Sequence, residues 1–423
     1  MSKPETVIDI DTLSIGHYVY LDLSWLDHPF PFGHFKIANA DQLNTLRGLG
    51  LKKIRVDLNK SQLVAASTAP TVIVPTPDEV QEVAAREAAM IKKRERIVQN
   101  KALRSKIAAS EKKFIESAKI CKEIGRTIFS SPKESVARAS AVISQIADAL
   151  LGDTEALIHL LGDKVAGDEV YHHSLNVATL AVLLGKELKM PRETIEQIGV
   201  ATILHDLGKI EVPDRVLLKK DAWTTPEREL YQTHVMHSVA IANKAGVAKE
   251  ILLIIAQHHE MIDGSGFPSA LKGPQISAGA KLLSLVNAYD NLCNPVDIAS
   301  ALTPHEALSL MFTKQRTRYD SVMLGKMVHL LGVYPPGTVV VLSNDAIGMV
   351  VSINSSKPLR PTVIVYDPDI PRAEAVTVNL EEEKDVNISK ALRPAQLARP
   401  VYDYLSPRQR ITYSFDASTR PGS

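Results

Sequence analysis

TIEQIGVATILHDLGK at 194–209 and ILLIIAQHHEMIDGSGFP at 251–268 decide how this chain folds. In both, apolar residues recur at three- and four-residue spacing, the period of a helix with a buried face. Both apolar runs end abruptly in polar pairs, His205-Asp206 and His258-His259. Such a pair at the end of a buried face needs hydrogen-bond partners or a metal, because an unsatisfied buried polar group is costly. YHHSLNV at 171–177 and LYQTHVMHS at 230–238 bring further histidines, so seven of the thirteen in the chain fall between residues 172 and 259. Imidazoles and carboxylates without thiolates form a nitrogen–oxygen donor set, suited to Fe, Mn, Zn or Ni rather than Ca or Mg. Ligands spread over several helices are how bundle cores build dinuclear sites. Adjacent His and Asp add a further device: the His holds one metal while the Asp bridges two, and a shared water becomes more acidic. His172 reads instead as surface polarity, and His237 and Glu260 are open to the same surface or capping reading.

Outward from these runs, the helical pattern extends over roughly 133–331, including SLNVATLAVLLGKEL and KLLSLVNAYDNLC. Thr225 is a candidate N-cap, with Pro226 opening the helix and Glu227 in its first turn. Before this region, TVIDIDTL, HYVYLDLSW, HFKI and KKIRVDL alternate like strands around a helical DQLNTLRGLG. STAPTVIVPTPDE then marks a boundary, followed by a charged, helix-favouring stretch to Ile128 that reads first as a solvated connector with one packed face and second as a signalling or docking helix. After Pro335-Pro336-Gly337, TVVVLS, MVVSIN and TVIVYD read as strands. The tail PVYDYLSPRQRITYSFD either adds a strand or lies against the rest. The predicted fold is therefore multidomain. It has a small α/β module at 1–66, a linker and charged helix at 67–132, an all-α helical bundle at 133–332, and a small β-rich module at 333–423.

Composition limits the function classes. The chain has 423 residues, 45% hydrophobic and 23% charged, with net charge +1. That is ordinary for a globular protein and gives no electrostatic case for binding a nucleic-acid polymer. Two cysteines, Cys121 and Cys293, exclude a disulfide framework and suit a reducing compartment. The first residues lack a basic-then-apolar secretion signal and the apolar runs are too short to span a bilayer. A cytoplasmic protein without membrane insertion is expected.

HDLGK at 205–209, followed by HHEMIDGSGFP at 258–268, resembles the HD-GYP domain, a branch of the HD phosphohydrolases. The resemblance extends through YHHSLNV and LYQTHVMHS, covering roughly 150–330. The first 65 residues are similar to an uncharacterised module that often precedes such domains in bacteria. The resemblance implies hydrolysis of cyclic di-GMP to the linear dinucleotide pGpG, and in some members onward to GMP. It implies His173, His205, Asp206, His234, His258 and His259 as metal ligands, with Asp206 as the bridge. Glu169 falls where members with a third metal place a glutamate. Two transition-metal ions are implied, Fe or Mn first, with Zn or Ni as alternatives. Lys209 matches a lysine that contacts the scissile phosphate. The loop with Asp263, Gly264, Gly266, Phe267 and Pro268 would line the substrate pocket, Phe267 replacing the tyrosine of the family's name-giving motif. Signalling proteins are implied as further partners.

Two departures bear on activity. Asn287 stands where the family has a ligating aspartate, so a neutral amide replaces a carboxylate and one metal would be held more loosely. Asp290, one turn on, is poorly placed by rigid helix geometry to compensate. CNPVDIASALTP at 293–304 lacks the basic residues with which many members grip substrate phosphates, leaving Lys281 or another domain to do so. These departures raise an alternative, a degenerate domain that binds the dinucleotide or a protein without turning it over. Hydrolysis of mononucleotides or alarmones is disfavoured by the GFP loop.

Overall fold

Alternating residues in the N-terminal stretch do form strands. The computed structural model describes residues 5–23, 28, 30, 34–61, 105, 108–151, 156–160, 169–354, 357–368, 370–372, 375–383, 386–407 and 411–417. Strands β1 (Glu5–Asp9), β2 (Tyr18–Tyr20), β3 (His34–Lys36) and β4 (Lys53–Asp57) make an antiparallel sheet in the order β1-β4-β2-β3. Val19 lies opposite Val56, and both are fully buried. Helix α1 (Ala40–Arg47) is capped by Asn39, whose side chain accepts from the Gln42 amide, and it adds Leu46 to the same core.

Residues 1–102 with 367–376 make one compact unit, and 103–366 with 377–423 make the other. In the second, a helix α2 over 108–127 buries Phe114, Ala118, Cys121 and Ile124, a stripe at helical spacing. This is the packed face expected of the charged connector; the rest of that stretch, 77–107, lies outside the described residues apart from residue 105. Helices α3 (Pro132–Leu150), α4 (Glu169–Glu187) and α5 (Arg192–Leu204) follow, then a 3-10 turn (Leu207–Glu211) and α6 (Asp214–Leu217). Next come α7 (Thr225–Gln232), α8 (His234–Lys244), α9 (Lys249–Gln257), α10 (Ala278–Cys293), α11 (Pro304–Thr313) and α12 (Ser321–Leu331). One core cluster runs through these helices, α6 and α7 excepted. Helix α7 is capped by Thr224 rather than the expected Thr225: the Thr224 side chain accepts from the Glu227 amide, and the Glu227 carboxylate accepts from Thr224 N at 2.7 Å. No helix among the described residues is long and apolar enough to cross a membrane.

The β-rich part departs from the sequence reading in one respect. Strands β6 (Val339–Leu342), β7 (Ile347–Asn354), β8 (Thr362–Val365), β9 (Thr377–Asn379) and β10 (Ile388–Leu392) belong to a seven-stranded antiparallel sheet. That sheet also takes in β5 (Ala156–Leu160), from the region read as helical, and β11 (Tyr413–Ala417), from the tail. Five mostly apolar residues do not distinguish a strand from a buried helical turn. β5 is specified by partners, β7 and β11, that arrive from the far end of the chain. The tail does both things open to it, forming helix α13 (Arg399–Leu405) and then an added strand.

Candidate metal centre

The helix ends carry most of the site. The C-terminal half of α5 is buried all round, from Ile198 to Leu204, so its C-terminus emerges inside the protein. His205 is fully buried there and Asp206 nearly so. A helix leaves its last carbonyls without backbone partners, and the site histidines use them. His205 Nδ1–H donates to the Thr202 carbonyl at 2.7 Å, His234 Nδ1–H to Tyr231 at 2.6 Å, and His258 Nδ1–H to Ile255 at 2.6 Å. A carbonyl only accepts, so each bond fixes the proton on Nδ1 and leaves the Nε2 lone pair facing inward. His173 lies within α4, where nearby carbonyls serve the helix. Its Nδ1 instead bonds Asp290 Oδ2 at 2.5 Å.

These inward atoms form two groups that share Asp206. Ligand atoms of Asp206, His234, His258 and His259 lie within 4.8 Å of one another, as do those of His173, His205 and Asp206. Asp206 Oδ1 is 3.5 Å from His234 Nε2 and 4.0 Å from His258 Nε2. Oδ2 is 3.3 Å from His205 Nε2 and 3.7 Å from His173 Nε2. The two carboxylate oxygens therefore face different histidine sets.

The donor set fits divalent metal. His173 Nε2, His205 Nε2, His259 Nε2 and Asp206 Oδ1 are buried without a hydrogen-bond partner among the described residues, and native interiors leave few such atoms. The Nε2 atoms of His234 and His258 face each other at 3.4 Å. With both protons on Nδ1, two lone pairs repel there unless a cation or proton intervenes. Burial holds His234 down at about 4 and keeps His258 and His259 well below the ordinary imidazole value, so the rings are neutral, as ligation requires. Burial opposes ionisation of Asp206, but the Lys209 ammonium beside it counters that, and the carboxyl lies well below its usual range.

Lys209 Nζ sits 2.5 Å from Asp206 Oδ2, its side chain a quarter exposed. Burial would lower its pKa, yet the Asp206 carboxylate and the Tyr231 hydroxyl outweigh that and keep the ammonium protonated. Gly208 makes this turn feasible. A Cβ there would lie 2.1 Å from the His234 carbonyl oxygen, so only glycine lets the 3-10 turn lie against α8.

The 258–268 loop is built onto the histidines. Phe267 stacks on His259 at 4.4 Å, and its amide donates to the His259 carbonyl at 3.2 Å. A Cβ on Gly266 would meet His259 O and Met261 N at 2.4 Å. Gly264 takes φ +82°, and Asp263 Oδ1 accepts from the Ser265 amide at 2.9 Å. Pro268 follows Phe267 through a cis peptide. Glu260, read as capping polarity, is 2% exposed and accepts from the Ser269 and Leu271 amides at 2.7 and 2.8 Å, anchoring the loop.

The remaining candidates stand apart. Glu169 opens α4, and its side chain lies outside the described residues. Lys281 is half-buried in the first turn of α10, and its ammonium pairs with no side chain among the described residues. Asn287 is buried, its Oδ1 accepting from Asn291 Nδ2 at 2.9 Å. Asp290 supports the site through His173, a route the sequence reading missed. Tyr231 was also missed: its ring packs 4.7 Å from that of His234, and its hydroxyl faces Lys209. Arg318 is a third. Its carbonyl accepts from the Ile262 amide at 3.0 Å, and its Nε is buried without a partner among the described residues.

The chain is similar to several known proteins. A cyclic di-GMP phosphodiesterase of Pseudomonas aeruginosa is 28% identical over 366 residues, 85% of this chain and 84% of that relative. A cyclic di-GMP phosphodiesterase of Borreliella burgdorferi is 26% identical over 196 residues, 46% of this chain and 52% of the relative. A 3'3'-cGAMP-specific phosphodiesterase of Vibrio cholerae is 34% identical over 131 residues, 30% of this chain and 24% of the relative. Residues 5–139 match a domain of unknown function, and 339–399 match a KOW domain associated with the HD domain. The HD domain model matches residues 80–323, more than half of the chain, and the protein belongs to the HD domain family.

Proposed function

We propose that this protein is a metal-dependent phosphodiesterase of the HD-GYP type that hydrolyses cyclic di-GMP to linear pGpG. The observation that carries this reading is the pair of histidine sets sharing the buried Asp206 carboxylate. The Pseudomonas cyclic di-GMP phosphodiesterase, alignable along most of both chains, supports the choice of substrate. His173 and His205 would hold one ion, His234, His258 and His259 another, and Asp206 both. The resemblance to the HD-GYP domain favours Fe or Mn, with Zn and Ni as alternatives that imidazole and carboxylate donors also suit. Bound divalent ions would supply Lewis acidity and a water acidified enough to attack phosphorus.

The chain's own residues do the rest. The Lys209 ammonium, permanently charged beside Asp206, offsets charge developing on the phosphoryl oxygens. Phe267, fixed on His259, offers a ring face to a base, and the backbone around Gly264 and Gly266 permits close approach. Arg318, beside the loop, supplies a cation that 293–304 lacks. A cytoplasmic location and signalling partners fit such an activity. One observation favours a second reading, a non-hydrolysing receptor: Asn287 brings no charge, and its carbonyl oxygen is already engaged by Asn291.

Metal analysis tests this reading. After reconstitution, purified protein should hold close to two ions per chain, and the paired substitutions His205→Ala and Asp206→Ala should strip most of them. Wild-type protein that retains no Fe, Mn, Zn or Ni would overturn it.

A further inference from the structure

The carboxylate that orients His173 is itself held by the chain's tail. Asp290 is 1% exposed, and its Oδ1 accepts from Asn176 Nδ2 and from Asn294 Nδ2, the latter at 3.0 Å. Both asparagines turn their remaining polar capacity to the same tail segment. Asn176 Oδ1 accepts from the Tyr413 amide at 3.0 Å. Asn294 Oδ1 accepts from the Ile411 amide at 2.7 Å, and its Nδ2 donates to the Ile411 carbonyl at 2.8 Å. Tyr413 is fully buried, its hydroxyl 2.8 Å from that of Tyr289. Beyond it, β11 pairs with β5.

His205, His234 and His258 need no such arrangement, since each finds a carbonyl three residues back. His173 has a distant acceptor, and that acceptor's geometry depends on two amides that the tail backbone orients. An amide group is a two-sided adaptor, with one acceptor oxygen and two donor hydrogens. If the tail is unseated, Asn176 and Asn294 lose what fixes their rotation, Asp290 loses ordered donors, and His173 is free to turn. Partners at this distance from a metal tune ligand orientation and affinity.

We propose that segment 411–413 is a positioning element of the metal centre, so that its seating and occupancy of the His173–His205–Asp206 group are coupled. This rests on the metal reading above. Coupling is reciprocal, so it can be read from the tail in the unaltered full chain. Amide hydrogen exchange across 411–413 should slow by at least about tenfold when Mn is loaded, the ordinary range for coupled sites. Asn294→Ala should abolish that dependence and release one ion faster than wild type in a chelator challenge, while the second is retained. Exchange at 411–413 that is unchanged by metal, in protein shown to hold two ions, would overturn the coupling and leave the metal reading standing. Protein that takes up no metal would overturn both.

Discussion

His234 Nε2 and His258 Nε2 face each other at 3.4 Å, while the Nδ1 proton of each ring is already committed to a carbonyl. Neither nitrogen has a proton to share, and both lie in a buried, desolvated space. The arrangement costs free energy in the metal-free protein and is repaid on metal binding, so the centre should respond to pH and to metal in linked ways.

The first expectation follows from the depressed imidazoles. His234 titrates at about 4 in the folded chain, and His258 and His259 lie well below 6.5. The unfolded chain takes up protons near 6.5 that the folded state refuses, so stability is present above that value and lost as pH falls towards 4. Each such imidazole contributes a slope of about 1.4 kcal/mol per pH unit within the window. Thermal unfolding of chelator-treated protein at pH 7.5, 6, 5 and 4.5 should show a falling midpoint. A flat profile would mean that these rings are charged or solvated.

Lys209→Ala should leave metal content near wild type and slow hydrolysis of the cyclic dinucleotide by at least about tenfold, the scale of losing one charge-stabilising group. The effect should fall on kcat rather than KM. An unchanged rate would make Lys209 a partner of Asp206 and nothing more.

Gly208→Ala tests the packing beneath the site. The added Cβ meets backbone on α8, which no side-chain rotation relieves. Destabilisation of about 1–3 kcal/mol or more is expected, with weakened metal retention, because the same turn joins Asp206 to His234. Denaturant unfolding and metal quantitation check both parts.

At Asn287 two effects oppose. Asn287→Asp places a second buried carboxylate one turn from Asp290. The metal-free protein should therefore lose stability, while charge-assisted ligation tightens metal retention under chelator challenge. Equal or weaker retention would show that position 287 does not reach a metal in this chain.

Much of this site was legible because its chemistry is local. His205-Asp206 and His258-His259 follow apolar helical runs, where a polar pair contradicts the pattern, and HDLGK keeps Lys209 within a turn of Asp206. What was not legible depends on distant parts of the chain. Asp290 looked misplaced on rigid helix geometry, yet it acts through His173, a residue on another helix. β5 is a strand because β7 and β11 flank it. Glu260 resembles a cap by composition, and only the fold shows it holding the Ser269 and Leu271 amides. Tyr231 and Arg318 carry no motif of their own.

Turnover of cyclic di-GMP by Mn- or Fe-reconstituted protein, followed by chromatography of the product, tests the central claim most directly. Linear pGpG should accumulate, and chelation or Asp206→Asn should abolish it. Protein that holds two ions and binds cyclic di-GMP, yet releases no linear product, would contradict the claim and identify the domain as a receptor.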